Sequence, residues 1–244
     1  MLREIRHALP HEDLIYVADS GHAPYGDRET DFIETRSVAI VDFLVGRGAK
    51  AIVIACNTAT AAAVATLRAR YAVPIIAMEP AVKPAAASTK SGVIGVLATR
   101  GTVESASFAQ LIERFGSGVK VLAQACPGLV ERVEAGDLSG TESRALVERY
   151  VRPLVEQGAD TLVLGCTHYP FLAPLIAEVA GPKVAIVDPA AAVARELKRR
   201  LQAAHLLAPA THQGKEEFWT SGPVDRVQTV IGQLWGTVAN VRSM

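Results

Sequence analysis

Ala51-Ile52-Val53-Ile54-Ala55-Cys56-Asn57-Thr58 and Thr161-Leu162-Val163-Leu164-Gly165-Cys166-Thr167-His168 are two apolar runs, each closing on a cysteine just before a polar helix start. The match continues downstream, where Val73-Pro74-Ile75-Ile76-Ala77-Met78-Glu79-Pro80-Ala81 parallels Val184-Ala185-Ile186-Val187-Asp188-Pro189-Ala190. Two related halves, each carrying a strand, a thiol and a helix, are the simplest reading.

Further apolar runs at 14–18, 74–78, 93–98, 119–123 and 184–187 are short, rich in β-branched residues and bounded by Gly, Pro or polar residues. Such runs read as strands buried on both faces. Amphipathic segments at 29–47, 58–71, 102–115, 141–157, 170–180 and 190–204 alternate with them. Alternation of this kind predicts an α/β chain with mainly parallel sheets flanked by helices. The Glu79-Pro80 and Asp188-Pro189 steps resist helix continuation and mark the crossings between halves. The expected organisation is a discontinuous first domain of residues 1–80 plus 188–244 and a second domain of 81–187. The tail, with Phe218 to Gly222 and an apolar helix pattern after Asp225, reads as an edge strand and a docking helix.

Composition narrows the function classes. Lysine plus arginine number 25 and aspartate plus glutamate 25, so no basic field exists to gather nucleic acid. The N-terminus lacks a long apolar region and no stretch reaches bilayer length, which predicts a cytoplasmic protein without membrane contact. Three cysteines do not form a disulfide framework, and in a reducing compartment they stay thiols.

A thiol at the C-terminal end of a strand sits where open α/β sheets bind ligands. The following helix start favours thiolate and draws the pKa from about 8.5 towards neutrality. One such cysteine is often mere packing, but two in equivalent settings point to paired acid–base chemistry; Cys126, before Pro127-Gly128, reads as packing. Asn57, Thr58, Thr167 and His168 supply donors at the two helix starts, suited to a substrate carboxylate or ammonium, and ordinary N-capping explains the same residues. A zinc site wants closely spaced ligand pairs, and the chain has a single Cys-x-His, so no metal is expected. A cysteine hydrolase would leave the second matched thiol without a purpose. No Gly-rich phosphate loop follows a strand, so nothing argues for a nucleotide cofactor.

Cys56-Asn57-Thr58-Ala59-Thr60-Ala61 and Gly165-Cys166-Thr167-His168-Tyr169-Pro170, with Pro24-Tyr25-Gly26, resemble the signatures of the glutamate racemases within the aspartate/glutamate racemase superfamily. Leu97-Ala98-Thr99-Arg100-Gly101-Thr102, Cys126-Pro127 leading to Glu134, and Phe218 to Gly222 extend the likeness over the whole chain. The resemblance implies two pseudo-symmetric domains with the active site in the cleft between them. It implies a cofactor-independent enzyme that interconverts L- and D-glutamate, supplying the D-isomer for peptidoglycan. Cys56 would take the α-proton of D-glutamate and Cys166 that of L-glutamate, with His168 assisting Cys166 and Glu134 near that half of the site. Tyr25, Gly26, Asn57, Thr58, Thr99, Thr167 and His168 would hold the substrate. A homodimer is among the assemblies the resemblance allows.

The family also carries a first strand with a Phe-Asp-Ser-Gly-Val-Gly-Gly-like motif, which these residues do not include; Met1 to Ile5 match the helix that follows it. Asp19-Ser20-Gly21 belongs to the second strand's exit and does not take over the motif's role. A gap in the first domain's parallel sheet is therefore expected. Two alternatives stand beside the glutamate reading: an aspartate racemase-like enzyme, and a truncated homologue that binds an amino acid without turnover.

Overall fold

The computed structural model describes residues 1–244. In chain order the elements are α1 (Leu2–Ala8), β1 (Leu14–Ala18), α2 (Thr30–Gly46), β2 (Ile52–Val53), α3 (Asn57–Arg70), β3 (Ile75–Ile76), α4 (Val82–Ser88), β4 (Val93–Ala98), α5 (Arg100–Val103), α6 (Ala106–Phe115), β5 (Lys120–Ala125), α7 (Leu129–Glu134), α8 (Thr141–Glu156), β6 (Thr161–Gly165), α9 (Ala173–Ala180), β7 (Ala185–Val187), α10 (Ala190–Ala203), β8 (Glu216–Thr220), α11 (Val224–Trp235) and β9 (Val241–Ser243). The alternation predicts parallel pairing, and every strand pair is parallel.

The chain groups into two compact units, one of residues 1–55, 62–78 and 190–244, the other of Cys56–Ala61 and Glu79–Pro189. In the second, a four-stranded sheet runs in the order β5-β4-β6-β7. Its central strands β4 and β6 are buried almost throughout, as apolar runs covered on both faces must be. Ile94, Val96 and Val163 pack there against Val82 and Ala85 of α4 and Phe108 and Leu111 of α6.

In the first unit the parallel strands form two sheets, β1-β8-β9 and β2-β3. Strand β1 is half-buried along its whole length. One core joins Ile5 and Leu9 to Ile76, Val193, Leu197 and Leu201, and another gathers Phe218, Val227, Ile231 and Val241.

Two elements differ from expectation. The helix expected over 102–115 is broken, because Thr99 and Ser105 each cap a separate start: the Thr99 hydroxyl accepts from Thr102 N–H at 3.4 Å and the Ser105 hydroxyl from Phe108 N–H at 3.2 Å. Strand β8 is not an edge strand; it pairs with β1 on one side and β9 on the other, so the edges are β1 and β9. Three residues beyond the tail helix are too little signal for periodicity to register a strand.

Candidate active site

Strand β6 delivers Cys166 at its C-terminal end, and α3 begins immediately after Cys56. Cys56 occupies the N-cap of that helix, and its Sγ accepts from Ala59 N–H at 3.4 Å. Both thiols belong to the second unit, and the charge on one is felt by the other. A direct tie links their neighbours: Asn57 Nδ2 donates to the Gly165 carbonyl at 2.8 Å, so the residue after one cysteine holds the residue before the other.

That bond also fixes the orientation of the Asn57 amide, because a carbonyl can only accept. Asn57 Oδ1 is left buried with no hydrogen-bond partner. An unsatisfied acceptor at 4% exposure costs roughly 1–3 kcal/mol and marks a place where a donor is missing.

The hydroxyls of Thr58, Thr99 and Thr102 close a triangle with edges of 2.8, 3.1 and 3.0 Å. Nothing in the sequence singles out Thr102. Its only signal is the Thr-x-x-Thr spacing, an N-cap and its third helical residue, which reads as capping until Thr58 arrives from a distant strand exit. On the other side, His168 Nδ1 lies 3.8 Å from Cys166 Sγ, and His168 Nε2 is 2.6 Å from Glu134 Oε1. Glu134 is the last residue of α7, which turns after the Cys126-Pro127-Gly128 segment. Thr167 sits half-buried between Cys166 and His168.

The protonation states depart from the simplest expectation. Burial outweighs the helix-start donors at Cys56 and pushes its thiol up to about 11, with the Cys166 charge acting the same way. The expected draw towards neutrality therefore fails at this residue: the Ala59 N–H at 3.4 Å, with the Thr58 N–H and hydroxyl, does not repay the loss of water. Desolvation also opposes charge on His168, but hydrogen bonds to Cys166 and Glu134 overcome it and raise the imidazole to about 10. At neutral pH His168 is an imidazolium facing a sulfur, held in place by a carboxylate. Cys126 is buried, gives its S–H to the Gln124 carbonyl at 3.3 Å, and is pushed far up by burial, as a packing thiol should be. No three His, Cys, Asp or Glu side chains are grouped to hold a metal ion.

Tyr25 and Gly26 belong to the first unit, in the loop after β1. That loop is built on Asp19, whose carboxylate accepts from Tyr25, Ser221 and Arg36.

The Asp/Glu/Hydantoin racemase family pattern matches residues 1–197. The glutamate racemase of Methylococcus capsulatus is 57% identical over 244 residues, covering 100% of this chain and 90% of that one. The chain belongs to the glutamate racemase family. Solved structures of racemases agree: the Bacillus anthracis glutamate racemase superposes with a TM-score of 0.89 at 33% identity, over 100% of this chain and 91% of that one. The Escherichia coli glutamate racemase, solved with L-glutamate and the activator UDP-MurNAc-ala, gives 0.87 at 32% identity, over 100% and 92%. The α/β architecture is that of the racemases, and the chain is an isomerase. No helix is long and apolar enough to cross a membrane.

Proposed function

We propose that this racemase interconverts L- and D-glutamate with Cys56 and Cys166 as the two proton-transfer groups, supplying D-glutamate for peptidoglycan in the cytoplasm. The observation that carries the reading is the tie from Asn57 to Gly165, which holds the two thiol-bearing segments together and leaves a buried acceptor, Asn57 Oδ1, for a substrate ammonium.

Inverting a stereocentre needs a base on one face and an acid on the other. With L-glutamate, the Cys166 thiolate takes the α-proton and the Cys56 thiol returns one, leaving Cys166 protonated and Cys56 as thiolate. That product form of the enzyme is the one competent for D-glutamate, so the two directions exchange the roles. Burial holds Cys56 as the acid of the L-direction, and the His168 imidazolium lies 3.8 Å from the Cys166 sulfur that takes the proton. In this reading the hydroxyls of Thr58 and Thr99, with Thr167, hold substrate carboxylates, and Tyr25 and Gly26 are further substrate contacts. Negative charge developing on the substrate is stabilised by these fixed donors.

Proton NMR of L- and D-glutamate in D2O with the 244-residue chain tests this directly. Loss of the α-proton signal from both enantiomers is expected, and from aspartate at a rate at least tenfold lower. Cys56→Ala and Cys166→Ala should each abolish racemisation; full turnover by either would refute the two-thiol scheme. Glutamate binding without exchange would identify a non-catalytic homologue. Homodimerisation rests on the family resemblance, and sedimentation velocity decides it.

A further inference from the structure

Asp19 is 6% exposed at its side chain and collects more donors than any local turn requires. Arg36 of α2 grips it with two bonds, Nε to Oδ2 at 3.0 Å and Nη2 to Oδ1 at 2.8 Å. Ser221, just past β8, donates to Oδ1 at 2.6 Å, and His22 Nδ1 lies 3.1 Å from the same oxygen. The Tyr25 hydroxyl donates to Oδ2. The backbone joins in, with the N–H groups of His22 and Ala23 both on the Asp19 carbonyl at 2.9 Å. Gly21 is pressed onto the tail so closely that a Cβ would stand 2.6 Å from the Ser221 carbonyl oxygen.

Three segments remote in sequence thus converge on one carboxylate, directly before the Pro24-Tyr25-Gly26 turn. Two consequences follow from the chemistry of the groups. The Tyr25 hydroxyl has one proton and gives it to Asp19, so towards any ligand that oxygen can only accept. The Arg36 fork is taken up bidentately and neutralised, so it offers no rival site for a substrate carboxylate.

We propose that Asp19 is a positioning residue of the racemase: its carboxylate locks Tyr25 and the Pro24–Gly26 turn in the one shape that meets glutamate, with Arg36 and Ser221 as braces. The inference rests on the reading that Tyr25 and Gly26 contact substrate. It gives the C-terminal tail a part in substrate binding, through Ser221, beyond its packing.

Steady-state racemisation by the full chain tests it with Asp19→Asn and Tyr25→Ala side by side, below the melting temperature of each. Both should raise KM for L-glutamate about tenfold or more, which is about 1.4 kcal/mol of binding, with kcat changed by less than about threefold. A merely structural Asp19 would lower the melting temperature and leave KM where it is. If Tyr25→Ala raises KM and Asp19→Asn does not, the proposal for Asp19 is overturned while the substrate role of the turn survives. If Tyr25→Ala leaves KM unchanged, the turn does not meet substrate and both readings fall. Should Asp19→Asn fail to fold, Ser221→Ala removes a brace on Asp19 without touching Tyr25, and its KM must rise for the proposal to stand.

Discussion

At Cys56 the penalty of burial exceeds everything the helix start offers the sulfur, so the group stays a thiol up to about 11. His168, raised to about 10, stays charged across the neutral range. The basic limb of the pH–rate profile should therefore carry two losses, the imidazolium above about 10 and the Cys56 thiol near 11. His168→Asn should remove the first and keep the second; comparing kcat/KM of variant and wild type between pH 8 and 11.5 cancels the titration of glutamate itself. Asp19 works with the opposite sign. Desolvation would raise it, but Arg36, Ser221 and Tyr25 hold its carboxyl down at about 2, against 3.8 for the free group. A depressed acid stabilises the fold above its unfolded pKa and loses that contribution as pH falls through the folded one, here between about 4 and 2. The contribution is about 2 kcal/mol. Asp19→Asn should thus be less stable at pH 7, and its melting temperature should fall less than that of wild type on acidification from pH 4 to 2, as read by circular dichroism.

Strand β6 shows how an element places a reactive group. Its last residue is Gly165, where a Cβ would stand 2.8 Å from the Leu97 carbonyl oxygen and 3.0 Å from Ala98 Cβ on the paired strand β4. Only a residue without a side chain lets β6 approach β4 closely enough to set Cys166 at its exit and to offer its own carbonyl to Asn57. Gly165→Ala should cost roughly 1–3 kcal/mol through overpacking, a drop of about 2–4 °C for each kcal/mol, measured by calorimetry. It should also cut kcat, since the strand end and the Asn57 tie shift together. The short helix α5 does comparable work by presenting Thr99 and Thr102 on one turn. Strand existence was legible from β-branched runs, whereas the break before Ser105 was not, because a cap competes with helix continuation by a margin that apolar spacing does not reveal.

Across the molecule, the two units differ in how their strands are joined. The second unit has one continuous sheet whose inner strands β4 and β6 are buried, while the first has its parallel strands in two sheets, one of only two short strands. Native-state hydrogen exchange should find the amides of Val96 and Val163 among the slowest and that of Val53 in β2 exchanging far faster, since opening a two-residue pair breaks few bonds. Equal protection of the two would contradict the division of the sheets.

The strand–thiol–helix unit, its repetition and the α/β class are legible in spacing along the chain that local geometry enforces, and the racemase family in the resemblance of the motifs around Cys56 and Cys166. Tertiary structure alone decided that Cys56–Ala61 groups with the second unit, that β8 is interior, that Thr102 joins Thr58 and Thr99, and that Asp19 is gripped by Arg36 and Ser221. It also decided the protonation of Cys56, against the local expectation. The physical reason is the same in each case: burial and hydrogen-bond partners are set by groups up to 202 residues away, and no periodicity carries that information.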